Sequence, residues 1–334
     1  MKVAVLGAGA FGTAFCKILE RHDHEIRLWA WTEEEAKGLR QTRQNPNMPG
    51  VMLAPGVKVT SDLQEALTGA SLVVGVTPFN AIRGTLAQAK AFLEPNAVLV
   101  NGSKGLEMES FRTAEQIYRE VLPAEIAERA VFVSGPTFAK ELAAGLPAAL
   151  VGASQRPESV DWVREAIASP TFRIFSSKDT VGVCLAGALK NVYAIAAGAS
   201  DSLGYGLNAR AALISRASAE MTQLGVKLGA DPMTFMGLAG IGDLVLTCTG
   251  DLSRNRRLGL ALGEGKTPEQ AFAELHGIAE GYYTARAIHR MSRKLKIKLP
   301  IAHLIYRFLF EGLELHQAVK ILLSLHTDHE VNYA

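Results

Sequence analysis

Val3-Ala4-Val5-Leu6-Gly7-Ala8-Gly9-Ala10-Phe11-Gly12 is the stretch that decides the fold. Four apolar residues of strand character run straight into glycines spaced as GxGxxG, and a helix-like stretch follows from Phe11 to about Arg21. Each glycine has its own physical task. Gly7 makes the tight turn, Gly9 lets a pyrophosphate come up to bare backbone, and Gly12 lets the helix press against the strand. The helix start then offers unpaired N–H groups and the positive end of its dipole to phosphates. Alone the glycine pattern is weak. Directly after a strand at the head of an α/β half it predicts a dinucleotide cradle, with a purely structural glycine turn as the plain alternative.

Working outward, short β-branched runs alternate with helical patterns as far as about Ser177. They are VAVL at 3–6, EIRLWA at 25–30, VKVT at 57–60, LVVGVT at 72–77, AVLVNG at 97–102, AVFVSG at 130–135, ALVGA at 149–153 and FRIFS at 172–176. Such alternation is the signature of βαβ units, and runs apolar on both strand faces predict a sheet covered by helices on both sides. After Asp179 the texture changes to Ala/Leu/Ile-rich stretches of helical length at 180–199, 207–228, 268–276, 280–294 and 301–322. Thr267-Pro268-Glu269-Gln270 is a helix start, with Thr as cap, Pro at the first helical position and Gln reaching back. The expected fold is therefore an α/β Rossmann-type domain with a mostly parallel, doubly wound sheet over residues 1–179, followed by an all-α domain over 180–334.

The length of 334 residues fits two cores better than one. With 48% hydrophobic and 20% charged residues, and 31 glycines without a short period, the composition excludes disorder, collagen-like repeats and a simple coiled coil. A formal charge of +2 asks for neither nucleic acid nor an anionic membrane. Cys16, Cys184 and Cys248 are far apart, odd in number and in no CxxC pair, which points to a reducing cytoplasm. No export signal is visible at the start, and charges interrupt the apolar runs, so no transmembrane segment is expected. His22/His24 and His326/His329 lie in polar segments without companions at ligand spacing, so no metal site is expected.

Open α/β sheets bind ligands beyond the carboxyl ends of their strands. About 20 residues past the fingerprint, where an acid would hold the ribose of NAD, stand Ala30-Trp31-Thr32. Trp31 either stacks on an adenine or caps the sheet edge, and Lys37 or Arg40 is placed to approach a 2′-phosphate. Lys104 sits between glycines at the end of another strand, and Gly135, Thr137 and Ala139 follow a third. Lys190 is the only formally charged residue between Asp179 and Asp201. An ammonium in an apolar helix is costly unless it is paired or neutralised, so Lys190 reads as a buried acid/base group rather than a snorkelling lysine, with the isolated Asp243 as counterion. The plain reading of Asp243 is a helix N-cap. In Ser253-Arg254-Asn255-Arg256-Arg257, three arginines oppose the dipole of the helix they open, and an anion resolves the conflict. Otherwise the segment is an exposed basic turn.

These segments resemble the bacterial-type NAD(P)-dependent sn-glycerol-3-phosphate dehydrogenases nearly end to end. The likeness is carried by GAGAFGTA at 7–14, NPNMPG at 45–50, SKGLE at 103–107, SGPTFAKELAAGLPAA at 134–149, ALKNVYAIAAG at 188–198, GIGDLVLTCTGDLSRNRRLG at 240–259 and EGYYTA at 280–285. The resemblance implies reversible reduction of dihydroxyacetone phosphate for phospholipid synthesis, with NAD or NADP as cofactor. It also implies a site in the cleft between a Rossmann and a helical domain, and a homodimer. It makes Lys190 the proton donor and acceptor, and Lys104 and Asp243 its polar companions. It assigns substrate contacts to Gly135, Thr137, Ser253, Arg254 and Asn255. Cofactor contacts fall to Gly7, Gly9, Ala10, Phe11, Gly12, Trp31, Lys104, Ala139, Arg254, Ile278 and Glu280. Trp31 stands where many members carry a basic residue, so no preference for NADP follows. The neighbouring alternatives are a hydroxyacid or 6-phosphogluconate-type dehydrogenase and a non-catalytic dinucleotide sensor.

Overall fold

In a computed structural model of the chain, residues 1–275 and 277–324 are described. His326 and His329 lie outside them. The eight strands found are β1 (Lys2–Leu6), β2 (Glu25–Trp29), β3 (Lys58–Thr60), β4 (Leu72–Gly75), β5 (Val98–Asn101), β6 (Val131–Ser134), β7 (Ala148–Ala153) and β8 (Phe172–Ser177). All eight coincide with the runs read from the sequence. They form one sheet in the order β3-β2-β1-β4-β5-β6-β7-β8, parallel throughout except where β7 runs against β6. The direction of winding reverses between β1 and β4, and that switch point is where open sheets hold their ligands.

Alternation along the strands explains why both faces are covered. Val3 and Val5 join one core cluster while Ala4 and Leu6 join the other; Leu72 and Val74 are likewise separated from Val73, and Val98 and Val100 from Leu99. Side chains two apart share a face, so a run apolar at every position needs a helix layer on each side.

The chain divides into two compact units. One comprises Met1–Lys104 and Arg112–Cys184, the other Gly105–Phe111 and the chain from Leu185 onward. The division thus falls one turn inside the helix Thr180–Ser202 rather than at its start, because Cys184 still packs on the core that holds Tyr118. Residues 105–111 group with the second unit, where Glu109 Oε2 accepts from Arg290 Nη1 at 3.5 Å.

The second unit is helical. Its long members are Thr180–Ser202, Gly206–Lys227 and Glu280–Leu295. The capping box at Thr267 is present, with Gln270 N donating to Thr267 Oγ1 and Thr267 N to Gln270 Oε1. The stretch read as one helix over 301–322 is two, Pro300–Phe310 and Leu315–Ser324. Gly312 lies between them at φ +67°, a left-handed backbone that ends a helix at little cost only for glycine. The expectation that charges interrupt every apolar run also needs correction. Among the described residues, the helix Thr180–Ser202 is long and apolar enough to cross a membrane by length and composition, but 89% of its apolar window is buried inside the protein, as for a core helix.

Candidate active site

The glycine turn has the geometry its spacing predicts. Gly7 adopts φ +116°, and its N–H donates to Trp29 O at 3.1 Å, stitching the turn to β2. A Cβ on Gly12 would run into the carbonyl oxygen of Gly7, so only glycine lets the helix Ala10–Leu19 lie this close. Gly9 is different: nothing lies within 4 Å of where its Cβ would be, and as the helix N-cap it supplies no side-chain bond to the first-turn N–H groups. Open space in front of free donors is what a pyrophosphate requires, so the residues present fit a dinucleotide. Phe11 packs over Gly102, where a Cβ would sit 3.0 Å from its ring, and Ala10 beside it is half-buried.

Asn45 is buried behind this turn. Its Nδ2 donates to Ala8 O at 2.5 Å and to Thr13 Oγ1 at 2.7 Å, tying the NPNMPG segment to the loop. The sequence marked that segment without giving it a task. At the end of β2, Trp31 is 58% exposed and meets Trp29 edge to face at 5.6 Å. Arg40, a candidate for a 2′-phosphate, is turned back onto Glu33 and onto Val59 O at 3.2 Å.

A second group of the first unit gathers around one carbonyl. Gly135 O accepts from Lys104 Nζ at 3.4 Å and from Thr137 Oγ1 at 3.1 Å. Residue 135 must be glycine, since a Cβ there would lie 2.7 Å from Leu150 Cα. Ala139 opens the helix Ala139–Ala144 just beyond.

In the helical unit, Lys190 is 7% exposed and Asp243 1%. Lys190 Nζ donates to Asp243 Oδ1 at 2.5 Å and to Thr247 Oγ1 at 2.8 Å, and Thr247 Oγ1 in turn donates to Asp243 O at 2.6 Å. The carboxylate favours the charged ammonium, opposing the desolvation that favours the neutral amine. Asp243 follows a π-helical turn, Leu238–Gly242, and opens the helix Asp243–Thr249. Its backbone is already helical, at φ −73° and ψ −30°, with Gly242 at the N-cap position, which decides against the plain N-cap reading. Thr247 was missed in the sequence, although it lies four residues after Asp243 on the same helix face. Burial pushes the thiol of the neighbouring Cys248 up to about 12. All three cysteines are unpaired.

Ser253 caps the helix Arg254–Gly263 by accepting from Arg256 N at 3.2 Å. The three arginines do not all await an anion, as the sequence suggested. Arg256 is paired with Asp201 and Asp251, and Arg257 donates to Glu274 O at 3.3 Å. Arg254 remains on the exposed side of the turn, where a Cβ on Gly277 would strike its guanidinium, and the Glu280 carboxylate opposes its charge. Ile278 lies between those two neighbours and is half-buried. Asn255 points the other way. Its Nδ2 donates to Asn191 Oδ1 at 2.9 Å, and its Oδ1 accepts from Gly281 N at 2.9 Å. Asn191, adjacent to Lys190, is thus a second polar residue the sequence reading passed over.

A dinucleotide-binding sheet joined to a helical unit that holds a buried lysine–aspartate pair defines a nicotinamide-dependent dehydrogenase. Residues 2–160 match the N-terminal domain, and residues 179–320 the C-terminal domain, of NAD-dependent glycerol-3-phosphate dehydrogenase, and the chain belongs to that family. It is 45% identical over 324 residues to the NAD(P)+ glycerol-3-phosphate dehydrogenase of Geobacter sulfurreducens, covering 97% of each chain. With that of Trichlorobacter lovleyi it shares 46% over 325 residues, covering 97% of this chain and 98% of the other. The crystal structure of glycerol-3-phosphate dehydrogenase from Coxiella burnetii superposes with a TM-score of 0.92 at 35% identity, covering 97% of this chain and 98% of that one.

Proposed function

We propose that the chain catalyses the reversible NAD(P)H-dependent reduction of dihydroxyacetone phosphate to sn-glycerol 3-phosphate, the precursor of glycerophospholipids. The observation that carries this reading is the buried ammonium of Lys190, held by Asp243 and Thr247. When bound, the nicotinamide supplies the hydride to the carbonyl carbon. Lys190 Nζ gives a proton to the oxygen that becomes the hydroxyl, and in the reverse direction the neutral amine takes it back. Asp243 and Thr247 hold that nitrogen in place. Lys104 adds positive charge where the alkoxide develops, with Gly135 and Thr137 fixing its position and contacting substrate. Arg254 and the N–H groups of the turn that Ser253 opens hold the phosphate, with Asn255 tying that turn to Asn191 beside Lys190, converting remote binding into orientation of the carbonyl.

The dinucleotide is assigned to Gly7, Gly9, Ala10, Phe11 and Gly12 at the turn, with Trp31, Lys104, Ala139, Arg254, Ile278 and Glu280 as further contacts. In this division of tasks the first domain, 1–179, carries the cofactor, and the second, 180–334, most of the acid/base and phosphate chemistry. A cytoplasmic homodimer completes the proposal. Unpaired thiols support a reducing compartment, and the exposed Leu207, Met233 and Met236 of the helical unit support a covered face.

Initial rates of dihydroxyacetone phosphate reduction, measured with NADH and NADPH in turn, test the reaction and settle cofactor preference together. Turnover of the phosphorylated ketone with at least one cofactor is expected. Activity confined to 2-keto acids would overturn the assignment.

A further inference from the structure

Arg256 stands at the third position of the helix Arg254–Gly263, next to the residues assigned to phosphate, yet it is buried and paired with two carboxylates, the buried Asp201 and the exposed Asp251. Its Nε and Nη2 donate to Asp201 Oδ2 at 2.9 and 2.8 Å, and its Nη1 to Asp251 Oδ1 at 2.7 Å. Arg210 holds the other oxygen of Asp201, with Nε and Nη2 both 2.8 Å from Oδ1. The side chains of Asp201 and Arg256 are 8% and 9% exposed. The main chain of Arg256 is engaged as well, since its N–H closes the Ser253 cap. One residue therefore joins the turn at Ser253 to the far end of the Lys190 helix.

Asp201 lies eleven positions beyond Lys190 on the helix Thr180–Ser202, and eleven residues make about three full turns, so both project from the same side. The two helices run side by side without slack. A Cβ on Gly198 would strike the carbonyl oxygen of Arg256, and one on Gly259 that of Ile195, so backbone rests on backbone along the crossing. At the other end Asn191, next to Lys190, receives Asn255. The relation between the proton-transferring ammonium and the Ser253–Asn255 turn is thus set at both ends of one helix contact.

We propose that Asp201 and Arg256 are positioning residues: a charged brace that fixes the Ser253–Asn255 turn relative to Lys190, and so sets selectivity for a phosphorylated over an unphosphorylated three-carbon ketone. The inference rests on the reaction proposed above. The brace also neutralises Arg256, which otherwise opposes the helix dipole and competes with Arg254 for the anion. A guanidinium gripping a carboxylate with two nitrogens fixes direction as well as distance, which a lysine cannot do.

The test compares wild type with Arg256→Lys and Asp201→Asn. The ratio of kcat/KM for dihydroxyacetone phosphate to that for dihydroxyacetone is expected to fall about tenfold in Arg256→Lys, the size of one lost directional contact. Inorganic phosphate, titrated calorimetrically and so independently of turnover, should bind more weakly by a similar factor. A lowered Tm with the ratio and phosphate affinity both unchanged makes the brace merely structural and overturns the proposal. Should Arg256→Lys not fold, Asp201→Asn, equal in size and shape, decides by the same two readouts. A wild type that binds phosphate but never reduces the phosphorylated ketone counts against the reaction, whereas an unchanged ratio in active variants counts against the brace.

Discussion

At Gly7–Gly12 the ligand-facing surface is bare backbone: the glycines are there for what they lack, and the open space before Gly9 is the product. Around Lys190 the working group is a charged side chain, and its surroundings are full, with Asp243 and Thr247 both in hydrogen-bond contact. The first region depends on shape, and an added atom meets the fold itself at Gly12 and the ligand's space at Gly9. The second depends on charge balance and tolerates no removed atoms, because breaking a buried pair leaves an uncompensated ion at a cost of about 3–5 kcal/mol.

The comparison can be broken at either end. The largest effect is expected from Gly12→Ala, whose methyl collides with Gly7 O. Cofactor affinity should fall by more than about 100-fold, and Tm should drop too, since overpacking typically costs about 1–3 kcal/mol. Gly9→Ala sharpens the point. Its methyl enters empty space, so Tm should stay near wild type while NADH affinity, followed by fluorescence titration, weakens about tenfold as the pyrophosphate meets the new carbon. A loss of stability equal to that of Gly12→Ala would contradict the division of labour between the two glycines.

In the charged region, Asp243→Asn keeps the shape and removes the charge. Its kcat is expected to fall roughly 100-fold, at the low end of what acid/base groups contribute, with NADH affinity retained. For Arg254→Ala the expectation is a rise in KM for dihydroxyacetone phosphate of about ten- to 100-fold, the loss of a charge-assisted contact to phosphate. An unchanged KM would remove Arg254 from the phosphate turn.

A further effect falls on stability rather than activity and concerns a second buried carboxyl of the helical unit. Glu220 accepts from Ile301 N at 2.7 Å, Ala302 N at 3.2 Å and Tyr193 Oη at 3.1 Å, so it caps the helix Pro300–Phe310 from outside. Burial raises its carboxyl from 4.5 to about 7, against the pull of those donors and of Arg216. Since the folded value lies above the ordinary one, the folded chain holds the proton more tightly. The stability this contributes is full below the ordinary value and is lost as pH rises through 7, a span of about 3 kcal/mol. Glu220→Gln should flatten the fall in Tm between pH 5 and pH 8; parallel Tm profiles for variant and wild type would dismiss the effect.

What the sequence made legible follows from the same contrast. The glycine turn, the strands and the Thr267 capping box are local, so contiguous residues carry them. Lys190 stood out because an isolated charge in an apolar helix violates a local rule. Its partner Asp243, 53 positions away, was found only because it too was isolated. Thr247 and Asn191 drew no notice, since a threonine or asparagine in a helix breaks no rule strongly. The arginine cluster misled for the opposite reason. Its conflict with the dipole was real, but Asp201, 55 positions upstream, answers Arg256, and no local pattern announces that pairing. The break at Gly312 was also missed, because the apolar periodicity resumes on both sides of it.

The central claim is that Lys190 moves the proton, and the most direct measurement is turnover of dihydroxyacetone phosphate by Lys190→Met, with NADH binding followed in the same samples. The predicted result is a kcat lower by about 100- to 10,000-fold, with NADH affinity within a factor of two of wild type. Near-normal turnover in a folded, cofactor-binding variant would contradict it.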